Sequence, residues 1–198
     1  MKNSILTLGP VLICLFSESF SIHGLWPSAR TKTEKTYAGF KVKNINNKVL
    51  FDDMLNYWPP QSNDDKEADW LWSHEYDKHG KDFSNILQVY LPHEYERASA
   101  EQFQETYFQT VINYYKTFNV RKLDISRASP KPQRNDEGDL LVSKDQLSSI
   151  IGVPSENFIV SCSGKKGKNY LTEIKICFRV DENIDFSLEN CLKIKSNG

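Results

Sequence analysis

The chain has 198 residues, enough for one ordinary domain with a sizeable core, and 12% of them are aromatic. Lys and Arg number 25 against 26 Asp and Glu, a net charge of −1. That balance excludes a nucleic-acid binder held by a broad basic surface, so any anion must be taken in a local pocket. The cysteines are Cys14, Cys162, Cys177 and Cys191. No Cys-x-x-Cys pair occurs, which argues against a zinc ribbon or a redox motif. The three C-terminal cysteines suit one disulfide closing a hairpin, with an odd thiol left over.

Lys2, the apolar run Ile5–Phe16 and the small residues after it have the pattern of a secretory signal over residues 1–19. The same run fits a buried first strand with Gly9-Pro10 as a turn. It is too short for a membrane span. Residues 20–198 read as a single domain without repeats or a linker. Phe20 and Ile22 alternate with Ser21 and His23 as in a short strand, which Gly24 loosens and Pro27 ends. A lone histidine there could equally be a core residue at a strand end.

A polar loop follows to residue 48. Leu50, Met54 and Trp58 predict a short helix stopped by Pro59-Pro60. Residues 61–69 read as a charged loop. The next helix opens near Trp70, with Gly80 as its expected end. Residues 83–90 predict another short helix, broken at Pro92. Ser99 and Gln102 form a capping-box pattern ahead of the apolar stripe Phe103, Tyr107, Phe108, Val111, Ile112, Tyr115 and Phe118, a core helix. Residues 127–138 read as a loop, 143–151 as a helix ended by Gly152, and 158–162 and 171–178 as strands joined by a basic turn.

The stretch Trp70–Gly80 carries the chemistry. On a helix, His74, Lys78, Glu75 and His79 fall within one sector about 140° wide. Two of the chain's 4 histidines lie on it, and Trp70 and Trp72 read as apolar anchors beside it. A solvated charged face is the ordinary alternative. A metalloprotease zinc site needs His at i and i+4 with Glu between, and here position i+4 is Lys78.

Two segments, Ser21-Ile22-His23-Gly24-Leu25-Trp26-Pro27 and Trp72-Ser73-His74-Glu75-Tyr76-Asp77-Lys78-His79-Gly80, together resemble the active-site segments of the ribonuclease T2 family, in that family's order. Tyr57-Trp58-Pro59 and Leu171–Cys177 agree more loosely. The resemblance implies an α+β fold, a central antiparallel β-sheet with packed α-helices, for a T2-like catalytic domain over 20–198. It implies a metal-independent endoribonuclease, without cofactor, that cleaves single-stranded RNA by transesterification through a 2′,3′-cyclic phosphate. His79 would be the general base and His23 the general acid. His74 would bind phosphate, Lys78 stabilise the phosphorane, Glu75 orient, and Trp26 form part of a base pocket. It also implies a monomer, soluble rather than membrane-bound, outside the cell or in a lysosome or vacuole.

The family's C-terminal hairpin implies a Cys177–Cys191 disulfide, with Cys162–Cys191 as the rival. Asp82 stands where the family has a cysteine, and that cysteine's partner is absent too. Ser28 replaces an aspartate and Leu71 an aromatic at base-contacting positions, so weak base discrimination is expected. A T2-like protein that binds RNA or a partner without cutting is the alternative from another class.

Overall fold

The computed structural model describes residues 6–16, 19–27, 45–60, 65–118, 123, 128–131, 133–134, 140–163, 170–181, 183 and 185–192. Ser28 and the basic turn after residue 163 lie outside them. The architecture is α+β. Strands β1 (Leu6–Phe16), β2 (Ser19–Pro27), β5 (Phe158–Ser163), β6 (Tyr170–Val180) and β7 (Phe186–Leu188) form one antiparallel sheet in the order β2-β1-β6-β5, with β7 also on β6. A two-residue pair, β3 (Gln133–Arg134) and β4 (Leu140–Leu141), stands apart. The helices are α1 (Lys48–Tyr57), α2 (Asp65–Glu75), α3 (Lys81–Tyr90), α4 (Pro92–Tyr95), α5 (Ala100–Thr117) and α6 (Lys144–Ile151). None of the described helices is long and apolar enough to cross a membrane.

In this structure the apolar N-terminal run forms strand β1. β1 lies between β2 and β6, paired to both. Gly9-Pro10 makes no turn. Leu8 pairs with Phe178 and Val11 with Ile176, so β1 carries an extra residue there, and the same shift recurs against β2. A proline cannot donate to a ladder, and a bulge is where an inner strand tolerates one.

Local signals set the helix ends. Ser99 and Ser143 cap α5 and α6 through complete capping boxes with Gln102 and Gln146. Gly152 closes α6 with φ 74°, the left-handed conformation that glycine adopts without penalty. α5 buries Phe103, Tyr107, Phe108, Val111, Ile112 and Tyr115. Tyr107 is the hub of this core. Its ring meets those of Trp58, Tyr76, Phe83 and Phe108, and its hydroxyl donates to Leu25 O and accepts from Leu25 N. The core helix is thereby fastened to β2.

Three sequence expectations are corrected. α2 begins at Asp65, inside the stretch expected to be a loop. β3 falls inside the expected loop 127–138. The break expected at Pro92 is present: α3 ends at Tyr90, and Pro92 opens α4 at its first turn, where a missing N–H costs nothing. Gly80 does not end the helix: it is right-handed (φ −65°, ψ −30°), and the chain runs on into α3 through a π turn, Tyr76–Gly80. Lys81 N–H reaches back to Tyr76 O, an i→i+5 bond. The glycine is needed for space. A Cβ at Gly80 would run into the buried Tyr76 ring. That ring is fixed in turn, since Ser84 Oγ donates to Gly80 O and shares a 3.2 Å hydrogen bond with the Tyr76 hydroxyl.

Cys177 and Cys191 are bonded, closing the β6–β7 hairpin. Trp72 is buried and donates to Trp58 O, as an anchor should, but Trp70 is 66% exposed.

An exposed helical glycine gains about 1 kcal/mol on replacement by alanine. At Gly80 the sign should reverse. Gly80→Ala is expected to lose about 1–3 kcal/mol through overpacking, read as a lower urea midpoint at constant slope. A raised midpoint would show that the Tyr76 ring yields.

Candidate active site

β2 and the α2–π turn–α3 segment contact each other and present the residues of both motifs. On β2, Leu12 pairs with Gly24 but Ile13 pairs with Ile22, so His23 is the extra residue of a bulge. A bulge re-aims a side chain out of the strand's alternation. His23 therefore faces the helix although Ile22 and Leu25 are buried in the core. Its Nε2 lies 3.6 Å from Glu75 Oε1 and its Nδ1 lies 3.9 Å from Glu173 Oε1.

Glu75 is the innermost group, 1% exposed. The helical wheel puts it on a polar face, but β2 covers that part of the face. Trp26 Nε1 donates to Glu75 Oε2 at 3.2 Å. Gly24 makes this approach possible, because a Cβ there would collide with Glu75 Oε2 and sit 2.7 Å from Trp26 Nε1. Burial pushes the Glu75 carboxyl up to about 7, against the lowering effects of the Trp26 hydrogen bond and the Lys78 charge.

His79 stacks on Trp26, with ring centres 5.1 Å apart and planes 27° apart. Burial, then the charges of Lys78, His74 and His23, lower its pKa to about 4. It is thus a neutral imidazole through most of the acidic range. Its Nε2 is buried and has no hydrogen-bond partner among the described residues. His23 is also lowered, first by burial; Glu173 opposes this, while Lys78, Lys175 and His74 add to it. His74 stacks on Trp70 (5.3 Å, 19°), and both line an open pocket of about 410 Å³ with Ser73, Asp77 and Lys78.

All five titratable residues singled out in the sequence, His23, His74, Glu75, Lys78 and His79, thus lie in one neighbourhood with Trp26. Leu71 is not in it; it packs against the core. No group of three or more His, Cys, Asp and Glu among the described residues is arranged to hold a metal. Sequence reasoning missed Glu173 and Lys175. Glu173 accepts from Ser161 Oγ at 2.9 Å and pairs with Lys175 Nζ at 3.0 Å, and Lys175 Nζ sits 5.4 Å from the centre of the Trp26 ring. The available signal was their alternation with the buried Ile174 and Ile176, which puts both on the sheet face opposite the core side chains.

The model of the Ribonuclease T2 family matches residues 11–191. The chain belongs to the ribonuclease T2 family. It is 38% identical to "Ribonuclease S-7" of Nicotiana alata over 32% of this chain and 31% of that one. Its fold matches the crystal structure of the Nicotiana alata self-incompatibility SF11-RNase with TM-score 0.54 and 26% identity, covering 95% of this chain and 92% of that one. An RNase MC1 mutant in complex with 5′-UMP gives TM-score 0.54 at 17% identity, over 90% and 89% of the two chains. The chain spans 31% to 59% of the length of the first three curated relatives it matches.

The Glu75 shift has a consequence for stability. Its folded pKa, about 7, lies above the ordinary 4.5. The proton's contribution to stability is full below pH 4.5 and is lost as pH rises through about 7. Glu75→Gln keeps an acceptor for Trp26 and removes the buried charge. It should match the parent in thermal unfolding at pH 4 and exceed it at pH 8 by up to about 3 kcal/mol. Equal stability of the two proteins at both pH values would show that the carboxylate is well solvated.

Proposed function

We propose that this chain is a metal-independent endoribonuclease that cleaves single-stranded RNA by transesterification. The observation that carries the reading is one cleft holding two unlike histidines and a cation. His79 is kept neutral by burial, His23 sits between the carboxylates Glu75 and Glu173, and Lys78 is close enough to shift both histidines. Cleavage beside a ribose 2′-OH needs these three parts: a base, an acid and charge for the phosphorane.

In this reading His79, kept neutral by burial, takes the 2′-OH proton. The 2′-oxygen attacks the adjacent phosphorus. Lys78 stabilises the charge on the phosphorane and His74 holds the phosphate. His23 gives a proton to the leaving 5′-oxygen, and the products are a 2′,3′-cyclic phosphate and a 5′-hydroxyl end. Glu75 holds the histidine–tryptophan array in place from below, and Trp26 offers its ring to a base. The 5′-UMP in the RNase MC1 complex supports a nucleotide ligand for this fold. The Cys177–Cys191 bond supports an oxidising destination, outside the cell or along the secretory route to a lysosome or vacuole.

The pH profile follows from the shifts. The base must be neutral, so kcat/KM should fall on the acidic side near pH 4, the His79 value. The acid must be protonated, so the alkaline limb should lie below 6.5, the ordinary histidine value from which His23 is lowered. Lys78→Ala removes a lowering influence from both and should move both limbs upward. It should reduce kcat more than it raises KM, because the charge matters mainly at the phosphorane. His23→Phe and His79→Phe should each cost about 10²–10⁴ in rate, with the double variant costing less than the product. EDTA should have no effect. Full activity in either Phe variant, or zinc-restored activity after EDTA, would sink the mechanism. RNA retention without cleavage by the parent would leave a binding protein.

A further inference from the structure

Trp70 lies outside both motifs, yet it is 66% exposed, whereas Trp58 and Trp72 close by are fully buried. A large indole left in solvent on an otherwise aromatic-buried helix pair needs an account. Its ring is stacked on His74 one turn along α2, at 5.3 Å and 19°. That contact fixes the ring and still leaves most of it uncovered. Around it is the open pocket of about 410 Å³, within the size range of small-ligand sites. The other described lining groups are polar: Ser73, His74, Asp77 and Lys78. Asp77, the one acid among the described lining residues, pairs with Lys81 at 3.2 Å, which offsets its charge.

These features fit an unpaired nucleotide. A fixed, exposed indole suits a nucleobase of any identity, since every base has a π-face. The Ser73 hydroxyl and the Lys78 ammonium suit a phosphate. A protein partner is less well served, because hot-spot aromatics sit in dry, apolar surroundings, and here the surroundings are charged. The pocket also adjoins the proposed reaction site through His74 and Lys78, which belong to both.

We propose that Trp70, with Ser73, His74 and Lys78, forms an outer subsite for a nucleotide of the RNA strand beyond the pair that flanks the cut bond. The inference rests on the ribonuclease reading. Two tryptophan–histidine stacks, Trp26–His79 and Trp70–His74, then serve successive parts of one strand. The subsite is indifferent to base identity and adds affinity for length.

The test compares parent, Trp70→Ala and Trp70→Phe on a dinucleoside phosphate and on a pentanucleotide of the same central sequence. Trp70→Ala should lose about tenfold more kcat/KM on the pentanucleotide than on the dinucleoside phosphate, a size that base–aromatic stacking supplies. The excess loss should lie in KM, and Trp70→Phe should recover most of it. In parallel, fluorescence titration with a 2′-O-methyl pentanucleotide, which cannot be cut, should show about tenfold weaker binding by Trp70→Ala. Equal losses on the two substrates, or unchanged affinity in the titration, would overturn the subsite. A parent that cuts neither substrate would overturn the ribonuclease reading, and the titration would still decide whether Trp70 holds a nucleotide.

Discussion

A carboxylate with almost no exposed surface sits where the two motifs meet, and the arrangement around it follows from keeping it there. Glu75 can approach β2 only because position 24 has no side chain. Once there it accepts from the Trp26 indole and faces His23. Trp26, so oriented, is the surface on which the His79 ring lies. One hydrogen bond and one ion-pair distance therefore set the geometry of four groups on β2, α2 and the π turn. The same low-dielectric surroundings act on all of them. Burial is the leading cause of the rise at Glu75 and of the falls at His79 and His23. Coulombic effects are secondary at each site. Desolvation disfavours the charged form of either sign, so one environment yields a protonated carboxyl and neutral imidazoles within the same pH range.

The sequence was informative wherever the cause is local. The capping box at Ser99, the helix end at Gly152 and the apolar stripe of α5 depend on neighbours within a few residues, and each stands where the pattern puts it. The grouping of His74, Lys78 and His79 was readable for the same reason. What was not readable depends on what packs from outside. Glu75 shares its sector with His74, but only β2 decides that it is buried. Trp70 and Trp72 look alike on paper, and the position of the Trp58 carbonyl makes one an anchor and leaves the other in solvent. Gly80 reads as a stop because glycine so often ends helices. Here the need is for room beside Tyr76, and that ring's position is a tertiary fact.

The β6 residues show the same limit. Glu173 and Lys175 are three-quarters of the chain away from His23 and Trp26, and no periodicity connects them. They meet because β6 and β2 flank β1, which puts like-facing residues of the two strands over the same part of the sheet. The apolar run at the N-terminus was ambiguous because a signal and an inner strand need the same composition. The pairing of β1 on both edges is non-local, so composition could not show it.

That inner position of β1 has a further consequence, for the order in which the molecule assembles. β1 is made long before its second neighbour, β6, with Leu6 opposite Val180. Pairings of such high contact order are slow to form, since the closure entropy of the long intervening loop must be met first. The helical layer, with α5 and its local caps, can form while the sheet is still open. Without β6, the β1–β2 hairpin would leave one edge of β1 unpaired, the kind of edge on which chains associate. Lys175 and Glu173 lie on β6, so their contacts with Trp26 and His23 require that long-range pairing.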